Sequence, residues 1–386
     1  MTNPSRDRYQ FINLNMRKNL FVRRALVAAL FGSVCVLMSL TSCGKNAQSK
    51  FNVETRDVSF WNKTRDVIHG KLIIEVPGAE KFTLIDTLII IGANDPSGQL
   101  KVFSTNTCKS LGDYVKEGRA RNEFIRGMML TDQVYHDAYG HVIVPLADNS
   151  DVVKEVDITA SMAQGHTVVK SVSTWLKFNK GVTILLDNDM NKRFEIVRNK
   201  FEYGEDKDDI PCVYSLKDTL GNVREYRIFN DMIDNVSSIF LAPYAGSFNK
   251  HPHRNLVAES FTYMEYLLFF DFDNDRRFAI HEKSATSFDG TFDSSVPRDN
   301  YIAFTDGAAT DRYLLLLYWR GDHFQNVPDR QGPNELLVFD WDGNYIDGFK
   351  MDRTCASIEY DEQRHLLYAM DVEERVYVYD MTGLIP

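Results

Sequence analysis

Near the C-terminal end the chain reads CASIEYDEQRHLLYAMDVEERVYVYD, at positions 355–380. Three apolar segments follow one another in this stretch, at 356–358, 366–369 and 376–379, and charged residues separate them. Short apolar segments that are rich in β-branched and aromatic residues and bounded by polar clusters are typical of strands. The stretch therefore predicts three strands of one small sheet, after which the chain ends.

The same pattern occurs six times along the chain. Each time a strand-like segment ends in an apolar pair, a small polar residue or Asp follows, and a turn begins. The six instances are Val102-Phe103-Ser104, Glu155-Val156-Asp157, Val213-Tyr214-Ser215, Phe269-Phe270-Asp271, Val338-Phe339-Asp340 and Val378-Tyr379-Asp380. An all-β chain with a repeat of this length is typical of a propeller, whose blades bury their faces against each other. The prediction is an all-β, six-bladed β-propeller with four-stranded blades.

The last repeat has only three strands, so its blade needs a fourth from elsewhere. We expect an N-terminal strand within Lys71–Val76 to supply it and close the ring, since closure hides edges that invite aggregation. Long helical periodicity is absent. Short helical turns are expected within 110–130 and at 230–233.

The N-terminal region has the features of an export signal. An uncharged, mostly apolar segment at 25–40 follows four basic residues and runs into Leu40-Thr41-Ser42-Cys43. A charged region, a short apolar region and small residues near a cleavage site are typical of secretory signals. The last four residues resemble the bacterial lipobox, in which the cysteine is acylated and becomes the first residue of the mature protein. A single transmembrane anchor is the alternative, but the apolar segment is short for a bilayer span.

The predicted organisation is a lipoprotein signal peptide at 1–42, a lipidated tether at 43–51 and the propeller at 52–386. Removing the first 42 residues removes 6 of 44 basic and 1 of 54 acidic residues, so the mature net charge is 38 minus 53, or −15. An acidic surface repels nucleic acid and anionic membranes. The expected anchor is therefore the lipid on Cys43, and the protein is expected to be a monomer in the cell envelope, at the outer membrane or the periplasmic face.

A family resemblance adds to this reading. Residues 332–344 (GPNELLVFDWDGN), the strand at 350–353 and residues 358–368 resemble the closing blades of TolB-like six-bladed propeller lipoproteins of Bacteroides-type bacteria. The stretch 118–124 (GRARNEF) is similar to the Gly-x-Gly-Pro-x-Glu-Phe turn of such propellers, although it lacks the proline and the second glycine. The resemblance is strongest over 300–386. It implies the propeller fold and an envelope location, and it transfers no catalytic residues.

Several acidic and histidine motifs are interpreted as turns or loops. Residues 271–275 (DFDND) and Glu282 have the spacing of an EF-hand loop, but Arg276 stands where that loop needs glycine. Turns select Asp and Asn for their local hydrogen bonds, so we predict hairpin turns here, at 340–344 and at 187–191. A loop is also predicted at 287–292, which resembles a short Asp-box. Residues 251–254 (HPHR) are predicted to form a surface loop.

The cysteines give no metal signal. Cys108, Cys212 and Cys355 are widely spaced after the leader, and none belongs to a Cys-x-x-Cys pair. We expect buried free thiols, and one long-range disulfide is the alternative. No cofactor and no metal site are predicted.

One segment is a candidate for ligand binding. Trp319, Arg320, His323 and Phe324 follow a strongly apolar segment at 314–318. Aromatic and arginine side chains are enriched at binding hot spots. Ordinary packing within a blade is the alternative interpretation.

The sequence predicts a non-catalytic propeller lipoprotein that binds a glycan, a peptide or an envelope protein. A glycan- or peptide-active hydrolase or lyase on the same scaffold is the first alternative, because fold alone does not decide function. A structural scaffold with a large apolar outer patch is the second.

Overall fold

A computed structural model describes residues 51–61, 65–125, 127–129, 133–148, 152–173, 183–185, 192–197, 213–218, 220–226, 228, 246–262, 264–283, 301–322 and 332–386. These residues form six sheets and one helix, so the all-β prediction is confirmed. Within them, no helix has both the length and the apolar character that crossing a bilayer requires.

Three short strands precede the blades: β1 (Glu54–Val58), β2 (Val67–Ile68) and β3 (Lys71–Glu75). Blade 1 then contains β4 (Ala79–Ile85), β5 (Leu88–Ala93), β6 (Leu100–Ser104) and β7 (Ser110–Tyr114). Blade 2 contains β8 (Gly127–Met129), β9 (Tyr135–His136), β10 (Val142–Asp148), β11 (Val152–Asp157), helix α1 (Ile158–Gln164) and β12 (Val169–Ser173). Blade 3 contains β13 (Thr183–Leu185), β14 (Lys192–Val197), β15 (Val213–Asp218) and β16 (Val223–Tyr226).

The second half of the ring repeats this pattern. Blade 4 contains β17 (Gly246–Lys250), β18 (Leu256–Phe261), β19 (Tyr266–Asp271) and β20 (Arg276–Glu282). Blade 5 contains β21 (Tyr301–Ala309), β22 (Tyr313–Asp322), β23 (Glu335–Asp340) and β24 (Tyr345–Met351). Blade 6 contains β25 (Cys355–Asp361), β26 (Leu366–Asp371) and β27 (Arg375–Asp380).

Each of the six predicted apolar pairs lies in the third strand of a blade: β6, β11, β15, β19, β23 or β27. The residue that ends the strand often holds the following turn. Asp340 Oδ1 accepts hydrogen bonds from the backbone N–H groups of Asp342 (3.0 Å) and Asn344 (2.8 Å). In blade 3 the strand continues past Ser215, so the residue that ends its third strand is Asp218 and not Ser215.

The one helix in the described part of the chain was not predicted. Asp157 ends β11 and also caps α1, since its Oδ1 accepts a hydrogen bond from Ala160 N–H at 2.7 Å. Gly165 ends the helix with φ 69°. The helical turn expected within 110–130 is wrong, because β7, turns and β8 occupy that stretch. Its glycine at 112 has φ 138°, which a helix does not accommodate. The turn expected at 230–233 lies outside the described residues.

Residues 51–76, which we call the strap, run along the outer strands of blades 4, 5 and 6. Strand β1 pairs in parallel with β20, β2 pairs in parallel with β24, and β3 pairs antiparallel with β27. Strand β3 completes blade 6 as predicted. Strands β1 and β2 give blades 4 and 5 a fifth strand, and β9 does the same in blade 2, so these three blades have more than the four predicted strands.

Apolar clusters join successive blades. The strap contributes one buried side chain or more to four of them, through Phe51, Phe60, Ile68 and Ile74. A fifth cluster joins blades 1 and 2 and includes Ile158 of α1. The first strands β17, β21, β25 and β4 contact one another in that order, which places them on the inside of the ring.

Two of the three cysteines of the propeller are described, and both are free thiols. Cys355 is buried, and burial raises the pKa of its thiol to about 12. Cys108 is only half-buried, so the expectation of a buried thiol is wrong there. Cys212 lies outside the described residues.

Candidate functional site

The predicted ligand-binding segment begins in β22. Trp319 is half-buried, and Arg320 lies in the same strand, whereas His323 and Phe324 lie outside the described residues. The preceding Tyr318 is fully buried and packs edge-to-face on Phe60 of the strap, with ring centroids 5.8 Å apart. The segment therefore follows directly on a residue of the packed core. Ligand binding by this segment stays a prediction.

Glu282, which completes the EF-hand-like spacing, holds the strap. Its buried Oε2 accepts hydrogen bonds from the backbone N–H groups of Phe60 (2.6 Å) and Trp61 (2.7 Å). Residues 272–275 form a turn, as predicted, and Asp271 accepts bonds from the backbone and side chain of Asn274. Among the described residues no group of three or more His, Cys, Asp or Glu is arranged to hold a metal ion.

The HPHR segment is less exposed than predicted. His251 is buried, and its ring lies 5.2 Å from that of Trp341. Its Nδ1 accepts hydrogen bonds from the N–H groups of His253 and Arg254, while Nε2 bonds the carbonyl of Asp311. Burial lowers the pKa of His251. The surface-loop prediction is therefore wrong for this residue, because a neutral imidazole organises the loop from inside.

Two clefts flank the turn that leads into β20. The larger, of about 510 Å³, lies between blades 3 and 4, and its polar lining includes Asn52, Glu225, Asp275, Arg276 and Arg277. The smaller, of about 260 Å³, lies between blades 4 and 5, and its charged lining is Arg254, Asp271, Arg276, Asp311, Arg312, Asp340 and Asp342. Arg276 lines both clefts.

Tyr226 and Arg277 line the larger cleft, and Arg224 also lies against the Tyr226 ring. The guanidinium carbons of Arg224 and Arg277 each lie 5.1 Å from the ring centroid of Tyr226. Asp275 pairs with both arginines, at 2.7 Å and 3.6 Å. Tyr226 itself is buried, and burial raises the pKa of its hydroxyl. The ring and the carboxylate together fix where the two guanidinium groups lie.

The smaller cleft repeats this arrangement on another ring. Arg276 lies 4.5 Å and Arg56 of the strap 4.7 Å from the ring centroid of Phe278. Arg276 also pairs with Asp342 at 3.3 Å, and Arg56 donates a hydrogen bond to the carbonyl of Asp342. We refer to Arg224, Arg276 and Arg277 as the rim arginines.

The rim arginines are ordered yet accessible. Their side chains are 54%, 47% and 31% exposed, respectively. A guanidinium group has five N–H donors and binds carboxylate or sulfate oxygens in a planar geometry. Sequence analysis missed this site because Arg224 belongs to another blade than the pair at 276–277. The signal was an arginine pair directly after an Asp-rich turn.

A second polar cluster lies in blade 2. His141 Nδ1 is 2.7 Å from Asp157 Oδ2, and the hydrogen bond to this carboxylate raises the pKa of the imidazole. Asp137 accepts hydrogen bonds from the backbone of His141 and Tyr139 and pairs with Lys170 at 3.2 Å. The cluster ties the turn before β10 to the start of α1.

The chain forms six successive sheets, the first strands of four of them contact one another in order, and an N-terminal strand completes the last sheet. This is the architecture of a β-propeller. The chain belongs to the TolB-like six-blade propeller-like family, whose sequence profile matches residues 67–363. No curated protein sequence matches the chain.

Solved structures are similar at the level of the fold. A Bacteroides fragilis protein described as exported has a TM-score of 0.52 at 9% identity, and the alignment covers 85% of this chain and 99% of that one. A member of the DUF4221 family from Bacteroides vulgatus has a TM-score of 0.49 at 10% identity, with coverages of 82% and 96%.

Proposed function

We propose that this protein is a non-catalytic lipoprotein of the cell envelope whose propeller binds a ligand or a partner. The observation that carries the proposal is the pair of clefts that share Arg276, of which the larger is also lined by Arg277. Clefts of a few hundred cubic ångströms with a few convergent polar groups are typical of ligand sites. Loops and turns on a rigid scaffold are also where propellers commonly place such sites.

The envelope location rests on the leader. Segment 25–40 and the Leu40–Cys43 sequence support export and acylation, and the similar B. fragilis protein is described as exported. The eight residues from 44 to 51 span at most about 27 Å when fully extended. A lipid on Cys43 would therefore keep the propeller close to the bilayer, where it meets envelope ligands.

The anchor is tested with Cys43→Ala in the full chain. Because the thiol is the acyl acceptor, labelled palmitate should enter the parent protein and not the variant. The variant should remain uncleaved or become soluble in membrane fractionation. Cys108→Ala is the matched control and should keep the label. Label that persists in Cys43→Ala contradicts the anchor.

Binding is tested with the detergent-extracted protein against panels of envelope glycans and peptides, measured by thermal shift and calorimetry. The expected result is a ligand that binds without being turned over. Product formation from any panel member would favour the glycan- or peptide-active alternative. No binding across both panels, together with no envelope protein recovered by cross-linking, would contradict the binding proposal.

A further inference from the structure

We propose that the larger cleft is a site for an acidic oligosaccharide, one whose sugar rings carry carboxylate groups. This inference rests on the proposed binding function and names its ligand class. The cleft combines two arginines, two carboxylates and a volume of about 510 Å³.

The rim arginines are held in position before any ligand arrives. Arg224 and Arg277 both lie against the Tyr226 ring, and Arg276 lies against the Phe278 ring. Stacking on a ring restricts the rotamers of a long side chain, so less conformational entropy is lost when the guanidinium binds an anion. An arginine without this support would lose more freedom on binding.

Each rim arginine also keeps donors for a ligand. Arg224 pairs with Asp275 through Nη2, Arg277 pairs with the same carboxylate through Nη1 at 3.6 Å, and Arg276 pairs with Asp342 through Nη1 at 3.3 Å. One ion pair occupies a small part of the five donors of a guanidinium. The two longer pairs are weaker than a close bidentate contact. A ligand carboxylate can therefore bind without displacing an optimal pair.

The walls favour a sugar acid over a simple polyanion. Glu225 and Asp275 stand among the arginines, and their oxygens accept hydrogen bonds from hydroxyl groups. A ligand that carried only anionic groups would be repelled by these carboxylates and by the acidic chain as a whole. A hexuronate unit matches both features, since one carboxylate meets arginine and several hydroxyls meet acceptors. A cleft of about 510 Å³ has room for a short oligosaccharide.

The test uses the detergent-extracted full chain and calorimetric titration with tetragalacturonate. The methyl-esterified tetramer is the neutral counterpart, and a sulfated tetrasaccharide of similar length is the other anion. We expect the carboxylated tetramer to bind, the ester to bind at least tenfold more weakly, and the carboxylate affinity to fall as salt rises.

Three variants locate the site. The double change Arg276→Gln with Arg277→Gln should weaken tetragalacturonate binding by more than tenfold. Glu225→Gln should strengthen it by about twofold to fivefold, because a repelling charge is lost while an acceptor oxygen remains. Arg375→Gln is the control. This arginine is 33% exposed and pairs with Asp371. It lies in blade 6, which borders neither cleft, so its loss removes a positive charge away from the site.

The proposal is supported if the double arginine variant binds tetragalacturonate more weakly, Glu225→Gln binds it more tightly and Arg375→Gln binds it as the parent protein does. Melting temperatures must show that all variants are folded. Equal binding of ester and acid, or equal losses in all variants, overturns it. Tighter binding of the sulfated sugar than of the carboxylated one overturns the choice of carboxylate. If neutral glycans or peptides bind while both anions fail, the acidic-ligand inference falls and the binding function stands.

Discussion

Blades 4, 5 and 6 carry the strap on their outer edges, whereas blades 1, 2 and 3 do not. In the strapped half, β1 and β2 pair with the fourth strands β20 and β24, and β3 pairs with β27 as the fourth strand of blade 6. In the other half, β7, β12 and β16 end their sheets within the described part of the chain. Each of these three carries an exposed aliphatic residue: Leu111, Val172 and Val223, at 43%, 46% and 54%.

The two halves therefore join their blades by different means. In the strapped half a single chain segment inserts an aromatic or aliphatic side chain into one groove after another and bonds to polar groups along its path. Arg65, for example, pairs with Glu335 and donates to the carbonyl of Phe60. In the other half, contacts such as His136 with Asp86 join blades directly, at 2.8 Å. A change in the strap should thus disturb the pairing of β1 and β2 with blades 4 and 5 in addition to the packing between these blades.

The largest expected effect is that of Phe60→Ala. Phe60 is 1% exposed and packs edge-to-face on Tyr318 and Phe339 in the cluster between blades 4 and 5. Removing a buried phenyl ring costs about 3–5 kcal/mol. Urea unfolding should report this loss, and hydrogen exchange should rise in both blades 4 and 5.

The comparison variant is Phe124→Ala, since Phe124 is 0% exposed in the cluster between blades 1 and 2. It should cost a similar free energy, with faster exchange confined to blades 1 and 2. Hydrogen exchange in β1 and β2 should rise in Phe60→Ala and not in Phe124→Ala. Equal exchange of these two strands in both variants would show that the strap adds no local coupling.

Glu282→Ala should be the next most destabilising change. The buried carboxylate accepts hydrogen bonds from the N–H groups of Phe60 and Trp61. Each buried donor that loses its acceptor costs about 1–3 kcal/mol. Denaturant midpoints should shift accordingly. Glu225→Gln, at an exposed carboxylate of the unstrapped half, should change the unfolding free energy by less than about 0.5 kcal/mol. Equal effects would contradict the role given to Glu282.

Two glycines allow a more closely matched comparison. Gly343 in blade 5 and Gly221 in blade 3 each stand three residues after the Asp that ends a third strand, with φ 77° and 84°. A Cβ at 343 would lie 2.9 Å from Ile280 and 3.1 Å from the strap residue Arg56, whereas nothing lies within 4 Å of one at 221. Both changes to alanine incur the cost of a left-handed backbone, about 1 kcal/mol.

Gly343→Ala should therefore destabilise the protein more than Gly221→Ala does, because only the former also displaces the strap. The difference between the two unfolding free energies measures the contact with Arg56 and Ile280. Equal decreases in unfolding free energy would show that the strap moves away from residue 343 without destabilising the protein.

The sequence predicted the propeller because the third strand of each blade carries a short apolar segment that is followed by turn-forming residues, and this pattern needs no tertiary information. It predicted β3 because the last blade lacked a strand. It did not predict β1 and β2. Glu54–Val58 is mostly polar and Val67–Ile68 is only two residues long, and both become strands by pairing with β20 and β24.

The sequence did not predict the arginine clefts for the same reason, because they form only by tertiary contact. The ring of Tyr226 and the guanidinium of Arg277 lie in different blades, and only the packing of blade 3 on blade 4 brings them together. His251 illustrates the opposite error. A polar HPHR segment is typical of surface loops, yet the imidazole of His251 is buried beneath the loop, where its Nδ1 accepts hydrogen bonds from two backbone N–H groups.

The smallest expected effect concerns pH, and its sign differs between the halves. In blade 2 the hydrogen bond that His141 donates to the Asp157 carboxylate raises the pKa of the imidazole. The stability it contributes is fully present below the unfolded value near 6.5 and is lost as pH rises through the folded pKa. In blade 4 burial lowers the pKa of His251, so its contribution is present above about 6.5 and is lost as pH falls toward the folded pKa. Unfolding free energies of His141→Gln and His251→Gln, measured against the parent protein from pH 5.5 to 8, should therefore diverge in opposite directions: the first variant loses most at low pH and the second at high pH. Parallel profiles would mean that one of the two imidazoles lacks its assigned partners, and two partner variants would identify which one. Asp157→Asn should remove the pH dependence that His141 contributes. Arg254→Gln leaves the backbone N–H groups in place, so it should preserve the pH dependence that His251 contributes.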